Sequence, residues 1–232
     1  MLDLELLQKF VINLKRRPDR LELFRARCPL KNYALIYGFD GKHVNLELSA
    51  RERNMVHKLN TLLPGEQGCF ISHIRIFQKI VREKIPFAFI IEDDAFFSRD
   101  FTKRFLQVLS EVSHDIDILY IGGRFTSDFV MPKYVPVSQN IVKHLTPFQK
   151  GGFYDRTTHA YIVSYKMAEL LLNTFYSLPN ICIPIDHWIL DICMQNSIDI
   201  YNSNPLLCHS PAIGNSDVRA RNKISWPLTE KH

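Results

Sequence analysis

The chain has 232 residues, enough for one large α/β domain or two small ones. Hydrophobic residues make up 46% of it, which supplies a sizeable core and argues against disorder, and no apolar stretch is long enough to span a bilayer. The net charge of +5 suits an anionic ligand, an acidic membrane surface or nucleic acid, and selects none of them.

Cysteines 28, 69, 182, 193 and 208 form no Cys-x-x-Cys pair, so a reducing compartment is expected rather than a disulfide scaffold. The opening residues, MLDLELLQKF, lack a basic segment followed by an apolar run. That predicts no signal peptide and a cytoplasmic location.

Lys9 to Leu14 reads as a first buried strand. It breaks into Lys15-Arg16-Arg17-Pro18-Asp19-Arg20, and a helix runs from Pro18 to about Arg27 with Leu21 and Phe24 inward. Basic residues beside free helix N–H groups can hold phosphate, or can be a solvated basic face. Tyr33 to Tyr37 is a short second strand that ends in Gly38-Phe39-Asp40-Gly41-Lys42. Asp40 sits in a turn there, where an acid can also bond a ribose hydroxyl. Ser49 to Glu52 has the S-x-x-E pattern of a capping box opening a short helix.

Leu63 to Gly68 reads as a loop, followed by a helix from Cys69 to Arg82 with Phe70, Ile74, Phe77 and Val81 on one face. Gly65 and Gly68 permit close backbone approach near its start. Ser72 and His73 lie in its first turns, where they would meet a phosphate or sugar, or serve the core.

Phe87 to Ile91 is an unbroken apolar run, short and rich in aromatic and β-branched residues, as in a buried parallel strand. It leads directly into Glu92, Asp93 and Asp94. Acids at the end of a buried strand repel one another, and a hard divalent cation with oxygen ligands would remove that cost. The competing reading is a solvated acidic turn. Asp100 is placed to cap a helix that buries Phe101, Phe105, Val108, Leu109 and Val112. Ile116 to Ile121 is the next strand, ended by Gly122-Gly123. The stretch from there to Gly152, with Pro132, Pro136 and Pro147, shows little period and reads as a lid or binding loop.

Thr158 to Val163 is a strand, and Ser164 caps a helix that turns Met167, Leu170, Leu171 and Phe175 inward. Pro184 opens another helix, with Asp186 and His187 in its first turn. Asp186 there either complements the helix dipole or acts as a base. Ile198 to Tyr201 and Pro205 to His209 follow. The basic segment Arg219 to His232 suits peripheral contact with an anionic bilayer, or a frayed end.

Four blocks carry a resemblance: FVINLKRRPDR (10–20), GEQGCFISHIRIFQKIV (65–81), FAFIIEDDAFF (87–97) and THAYIVSYKMAELLL (158–172) followed by PID (184–186). In this order they resemble glycosyltransferase family 25, the lipooligosaccharide galactosyltransferases and their relatives in collagen glycosylation. The resemblance implies one α/β domain over 1–232: a GT-A-type, Rossmann-like, mixed but mostly parallel sheet flanked by helices. A nucleotide-sugar half would cover about 1–122, an acceptor half about 123–210, and a basic tail 211–232. It implies inverting transfer of a hexose, typically galactose from UDP-galactose, onto a glycan such as lipooligosaccharide core. The alternatives are a collagen-like hydroxylysine acceptor and an inactive nucleotide-binding domain.

The resemblance also puts the three acids in the place of the DxD motif, which holds Mn2+ or Mg2+ on the donor diphosphate. On it, Glu92 and Asp94 would hold the ion with His209 as a third ligand, and Asp94 is the first choice. Asn13, Arg17, Arg20, Asp40, Ser72, His73 and Asp93 would contact the donor. Asp186 would be the base, with Asp155 its rival. Nucleotide sugar and glycan are the expected partners, and nucleic acid is not.

Overall fold

The computed structural model describes residues 2–4, 7–42, 48–113, 115–123, 134–145 and 157–210. Asp155, the segment 211–232 and most of the stretch from 124 to 156 lie outside them.

The first apolar run becomes β1 (Gln8–Asn13), and α1 (Pro18–Arg27) follows with Pro18 in its first turn and Leu21 and Phe24 buried. Then come β2 (Ala34–Tyr37) and α2 (Ala50–Lys58). The capping box of α2 is formed: Ser49 Oγ accepts from the Glu52 N–H at 3.2 Å, and the Glu52 carboxylate accepts from the Ser49 N–H at 2.9 Å.

The next helix, α3 (Pro64–Glu83), starts earlier than its sequence predicts, because Leu-Pro-Gly does not end as a loop. Pro64 takes the first helical position, and the Leu63 N–H donates to the Glu66 carboxylate at 3.0 Å, which satisfies the helix start without a polar N-cap residue. Gly65 and Gly68 therefore lie inside the helix.

The later elements are β3 (Phe87–Glu92), β4 (Phe96–Phe97), α4 (Phe101–Glu111), β5 (Ile118–Tyr120), β6 (Gly122–Gly123), β7 (Tyr134–Pro136), β8 (Ile141–His144), β9 (Ala160–Ser164), α5 (Tyr165–Ser177), α6 (Ile185–Gln195), β10 (Tyr201–Ser203) and β11 (Cys208–His209). Three expectations change here. Gly122-Gly123 is a short strand as well as a stop, and the irregular stretch contains the hairpin β7–β8. Asp100 stands at the N-cap of α4 without a capping hydrogen bond, because its carboxylate pairs with Arg104 one turn on. Ser164 does cap α5, accepting from the Met167 N–H at 3.0 Å.

Eight strands form the main sheet in the order β2-β1-β3-β9-β5-β10-β8-β7. β1 is parallel to both β2 and β3, and β10 is parallel to β5. β9 and β8 run against the other six. The sheet is mixed and mostly parallel, with helices on both faces, as the resemblance implies. Strands from before and after residue 122 alternate within it, because β9 inserts between β3 and β5.

Period-2 alternation divides the core. Phe10, Ile12, Ala88 and Ile90 pack with α3, α5 and α6, while Val11, Phe89 and Ile91 pack with α1 and α4. A second sheet, β4-β11-β6, brings the chain after β11 back beside the end of β3.

Candidate active site

Parallel pairing of β1 with β3 sets Ile12 opposite Glu92. The basic turn after β1 and the acids after β3 therefore leave the sheet side by side, at the carboxyl ends where open α/β sheets gather ligands. A cleft opens there. Asn13, Arg16, Arg20, Asp40, Ser72, His73, Glu92, Asp93 and Asp94 line it.

The three acids differ in their surroundings. Asp93 is buried and committed: one oxygen pairs with Arg20 and the other accepts from Asn13 Nδ2 at 2.6 Å. Burial pushes its carboxyl up, against the pull of Arg20 and Asn13.

Glu92 accepts from Thr158 Oγ1 at 2.8 Å and lies 3.3 Å from His73 Nε2. Burial works against its charge, but the hydrogen bonds from His73 and Thr158 outweigh that and hold the carboxyl below its ordinary range.

Asp94 is the least satisfied of the three. Its Oδ2 meets Ser210 Oγ at 3.3 Å and Arg20 at 3.7 Å, while its Oδ1 is buried with no hydrogen-bond partner among the described residues. Burial and the neighbouring charge of Glu92, with Asp93 adding, push Asp94 up to about 6 against the pull of Arg20.

The remaining predicted residues divide between the cleft and its supports. Asn13 donates to Asp93 and to the Arg17 carbonyl, and its own Oδ1 is buried and unpartnered among the described residues. Asp40 pairs with Arg16 at 2.5 Å and lies in the cleft. Arg17 does not line it; its guanidinium is taken by Asp19 at 2.8 Å.

Ser72 donates to the Gly68 carbonyl at 2.6 Å and accepts from the Phe39 N–H at 2.8 Å, so its hydroxyl fastens the Asp40 loop to α3. His73 is fully buried, with Nδ1 2.8 Å from Tyr161 Oη. Asp186 stands in the first turn of α6, accepting from the N–H of His187 at 2.9 Å. It lies close enough to Cys69, a cleft residue, to add to the rise of that thiol's pKa behind burial and Glu92. His209 is exposed, and its ring stacks on Phe96 with centroids 5.7 Å apart. Ser210, the next residue, is the one that reaches Asp94.

Sequence reasoning missed Arg16, Thr158, Tyr161 and Ser210. Arg16 was legible only as one of several basic residues in a turn. Thr158 carries a readable signal, since it stands two residues before β9, which pairs with β3.

The site tests well for a hard cation. Glu92 and Asp94 offer carboxylate oxygens, and the buried Oδ1 of Asp94, without a partner among the described residues, is one that a divalent ion would satisfy.

The sequence model of glycosyltransferase family 25 (LPS biosynthesis protein) matches residues 6–189. Procollagen galactosyltransferase 2 of Homo sapiens is 25% identical over 228 residues, covering 91% of this chain and 33% of that protein. Procollagen galactosyltransferase 1 of Danio rerio is 29% identical over 210 residues, covering 84% of this chain and 33% of that one. The procollagen lysyl hydroxylase and glycosyltransferase of Acanthamoeba polyphaga mimivirus is 28% identical over 200 residues, covering 78% and 21%. The chain thus spans about a third or less of the length of these relatives.

Proposed function

From the premise that this chain belongs to glycosyltransferase family 25, we propose that it transfers galactose from UDP-galactose to an acceptor hydroxyl, with a divalent cation at the end of β3. The observation that carries this reading is the buried Oδ1 of Asp94, which has no hydrogen-bond partner among the described residues, in one cleft with Asn13, Arg20 and Asp40. An orphan carboxylate oxygen costs stability unless a ligand completes it.

Asp94 and Glu92 would hold Mn2+ or Mg2+, and the ion would offset the negative charge that develops on the departing diphosphate. Arg20 and Arg16 add fixed positive charge on the β1 side of the cleft, so the diphosphate end of the donor would face them. Asp40, in the loop after β2, would bond a ribose hydroxyl. Ser72 and His73 act behind the surface: Ser72 holds the Asp40 loop and His73 holds Glu92. Asp186, at the start of α6, would take the proton of the acceptor hydroxyl as it attacks from the far side of the sugar, giving inversion.

Two acceptors are favoured by different findings. The family's description, LPS biosynthesis, favours a lipooligosaccharide core glycan. The relatives named as procollagen galactosyltransferases favour a hydroxylysine in a collagen-like chain.

The test is release of free UDP from UDP-galactose, with and without Mn2+, against each acceptor in turn. Metal-dependent release with one acceptor supports the reading and chooses between them. Tight UDP binding with no release from any donor would overturn it in favour of a nucleotide-binding domain without transfer.

A further inference from the structure

Among the described residues, Cys69, His73 and Glu92 present a sulfur, a ring nitrogen and a carboxylate oxygen that all lie within 4.8 Å of one another. Cys69 and His73 are four residues apart on α3, so they share one face of the helix, and that face meets the end of β3. Cys69 Sγ is 4.0 Å from Glu92 Oε1, and His73 Nε2 is 3.3 Å from the same oxygen. Ligand atoms around a tetrahedral zinc ion stand about 3.3–3.8 Å apart, given Zn–S and Zn–N bonds of about 2.3 and 2.0 Å.

We propose that Cys69, His73 and Glu92 form a zinc site, distinct in chemistry from the hard-cation site at Asp94. Sulfur, imidazole and carboxylate together suit Zn2+, whereas Mg2+ and Mn2+ favour oxygen alone. A thiolate and a carboxylate neutralise the ion's two charges. The thiol proton leaves to solvent when the metal binds.

The outer contacts are already in place. Tyr161 Oη lies 2.8 Å from His73 Nδ1; on metal binding the ring proton that meets Glu92 at Nε2 would move to Nδ1 and be donated to Tyr161 Oη, so that Nε2 offers its lone pair to the metal. Thr158 Oγ1 donates to the Glu92 carboxylate at 2.8 Å and fixes it. Cys69, His73 and Glu92 all border the cleft, and water or an anionic group would complete the tetrahedron as the fourth ligand. Glu92 would be shared with the hard cation, and zinc in this site withdraws it.

This site is defined by zinc binding and stands whether or not the chain transfers a sugar. The test is titration of the chelator-stripped protein with Zn2+ against a chromophoric chelator, then with Co2+ to look for a thiolate-to-cobalt charge-transfer band. Expected are one Zn2+ per chain, about one proton released per ion, and a cobalt band. Cys69→Ser should lose the band and weaken zinc binding by at least about tenfold. Cys182→Ser, which alters an exposed cysteine, should keep both. An excess of Mn2+ should not displace the zinc. No cobalt band in the unaltered protein overturns the proposal without reference to any variant. So does zinc binding of unchanged affinity in Cys69→Ser.

Discussion

Arg20, on α1, lies 3.7 Å from Asp94, just beyond the end of β3. The same guanidinium is already paired with Asp93, so Asp94 has only part of a counter-ion. Its Oδ1 has no partner among the described residues, and burial with the charge of Glu92 pushes its pKa up. A carboxylate held in this way opposes the metal-free fold. Asp94→Asn should therefore stabilise chelator-treated protein at neutral pH by on the order of 1 kcal/mol. It should also abolish the stabilisation that Mn2+ gives the unaltered chain. Thermal unfolding with and without Mn2+ checks both, and a variant less stable than its parent in chelator contradicts the account.

The same carboxyl sets a pH dependence. Its folded pKa is raised from 3.8 to about 6. A raised carboxyl contributes stability that is complete below the unfolded value and is lost as pH rises through the folded one. The metal-free protein should lose this contribution between about pH 4 and pH 6, while Asp94→Asn does not. Glu92, held low by His73 and Thr158, works in the opposite sense: its contribution is present above its unfolded value of 4.5 and lost as pH falls further. Urea midpoints of the two proteins from about pH 4 to about pH 7 isolate Asp94 as the growing gap between the curves. A flat difference would show that its environment is more polar than this geometry implies.

Ser72 offers a test of positioning. Its hydroxyl satisfies the buried Phe39 N–H and returns a hydrogen bond to α3. Ser72→Ala leaves that N–H without its partner, at a cost of about 1–3 kcal/mol. The loop carrying Asp40 loosens, so nucleotide affinity should fall together with stability. Calorimetric titration with UDP, set beside urea unfolding, reads both. Reduced stability with unchanged UDP affinity would separate the loop from the donor site.

Much of this arrangement is legible in the sequence because unbroken apolar runs set the strands and parallel order sets where their ends meet. Phe10–Ile12 and Phe87–Ile91 fix β1 and β3, and their pairing brings Asn13 and Arg20 to Asp93. What was not legible depends on single registers and on side-chain competition. β11 is two residues long, too short to show a period, so whether His209 or Ser210 faces Asp94 is decided by its pairing with Phe96–Phe97 and Gly122–Gly123. Arg16 and Arg17 are adjacent and chemically alike; Asp19 takes one and Asp40 the other. Leu63-Pro64-Gly65 has the composition of a loop, and Pro64 at the first helical position with the Glu66 carboxylate on the Leu63 N–H makes it a helix start. Asp93 and Asp94 look equivalent in sequence, and Arg20 with Asn13 separates them by engaging both oxygens of the first.

Gly41 provides the most restrictive steric test. A Cβ built at this position would stand 1.7 Å from the Pro64 carbonyl oxygen and 3.1 Å from the Gly68 nitrogen. A Cβ at Gly68 would stand 2.6 Å from the Phe39 carbonyl oxygen. In each case the obstruction is backbone, in the first turns of α3 or in the loop after β2, and cannot rotate away as a flexible side chain would. Gly41→Ala must therefore push the loop off the helix or distort the helix start, and either change displaces Asp40 from Arg16 and Phe39 from Ser72. The expected outcome is a loss of roughly 2 kcal/mol or more in stability, together with weaker UDP binding. Gly38→Ala meets only side chains, the nearest at 3.0 Å, and should be milder on both counts. Urea unfolding and UDP titration of the two variants decide the matter. Equal effects from Gly38→Ala and Gly41→Ala would mean that the loop does not rest on α3 in solution.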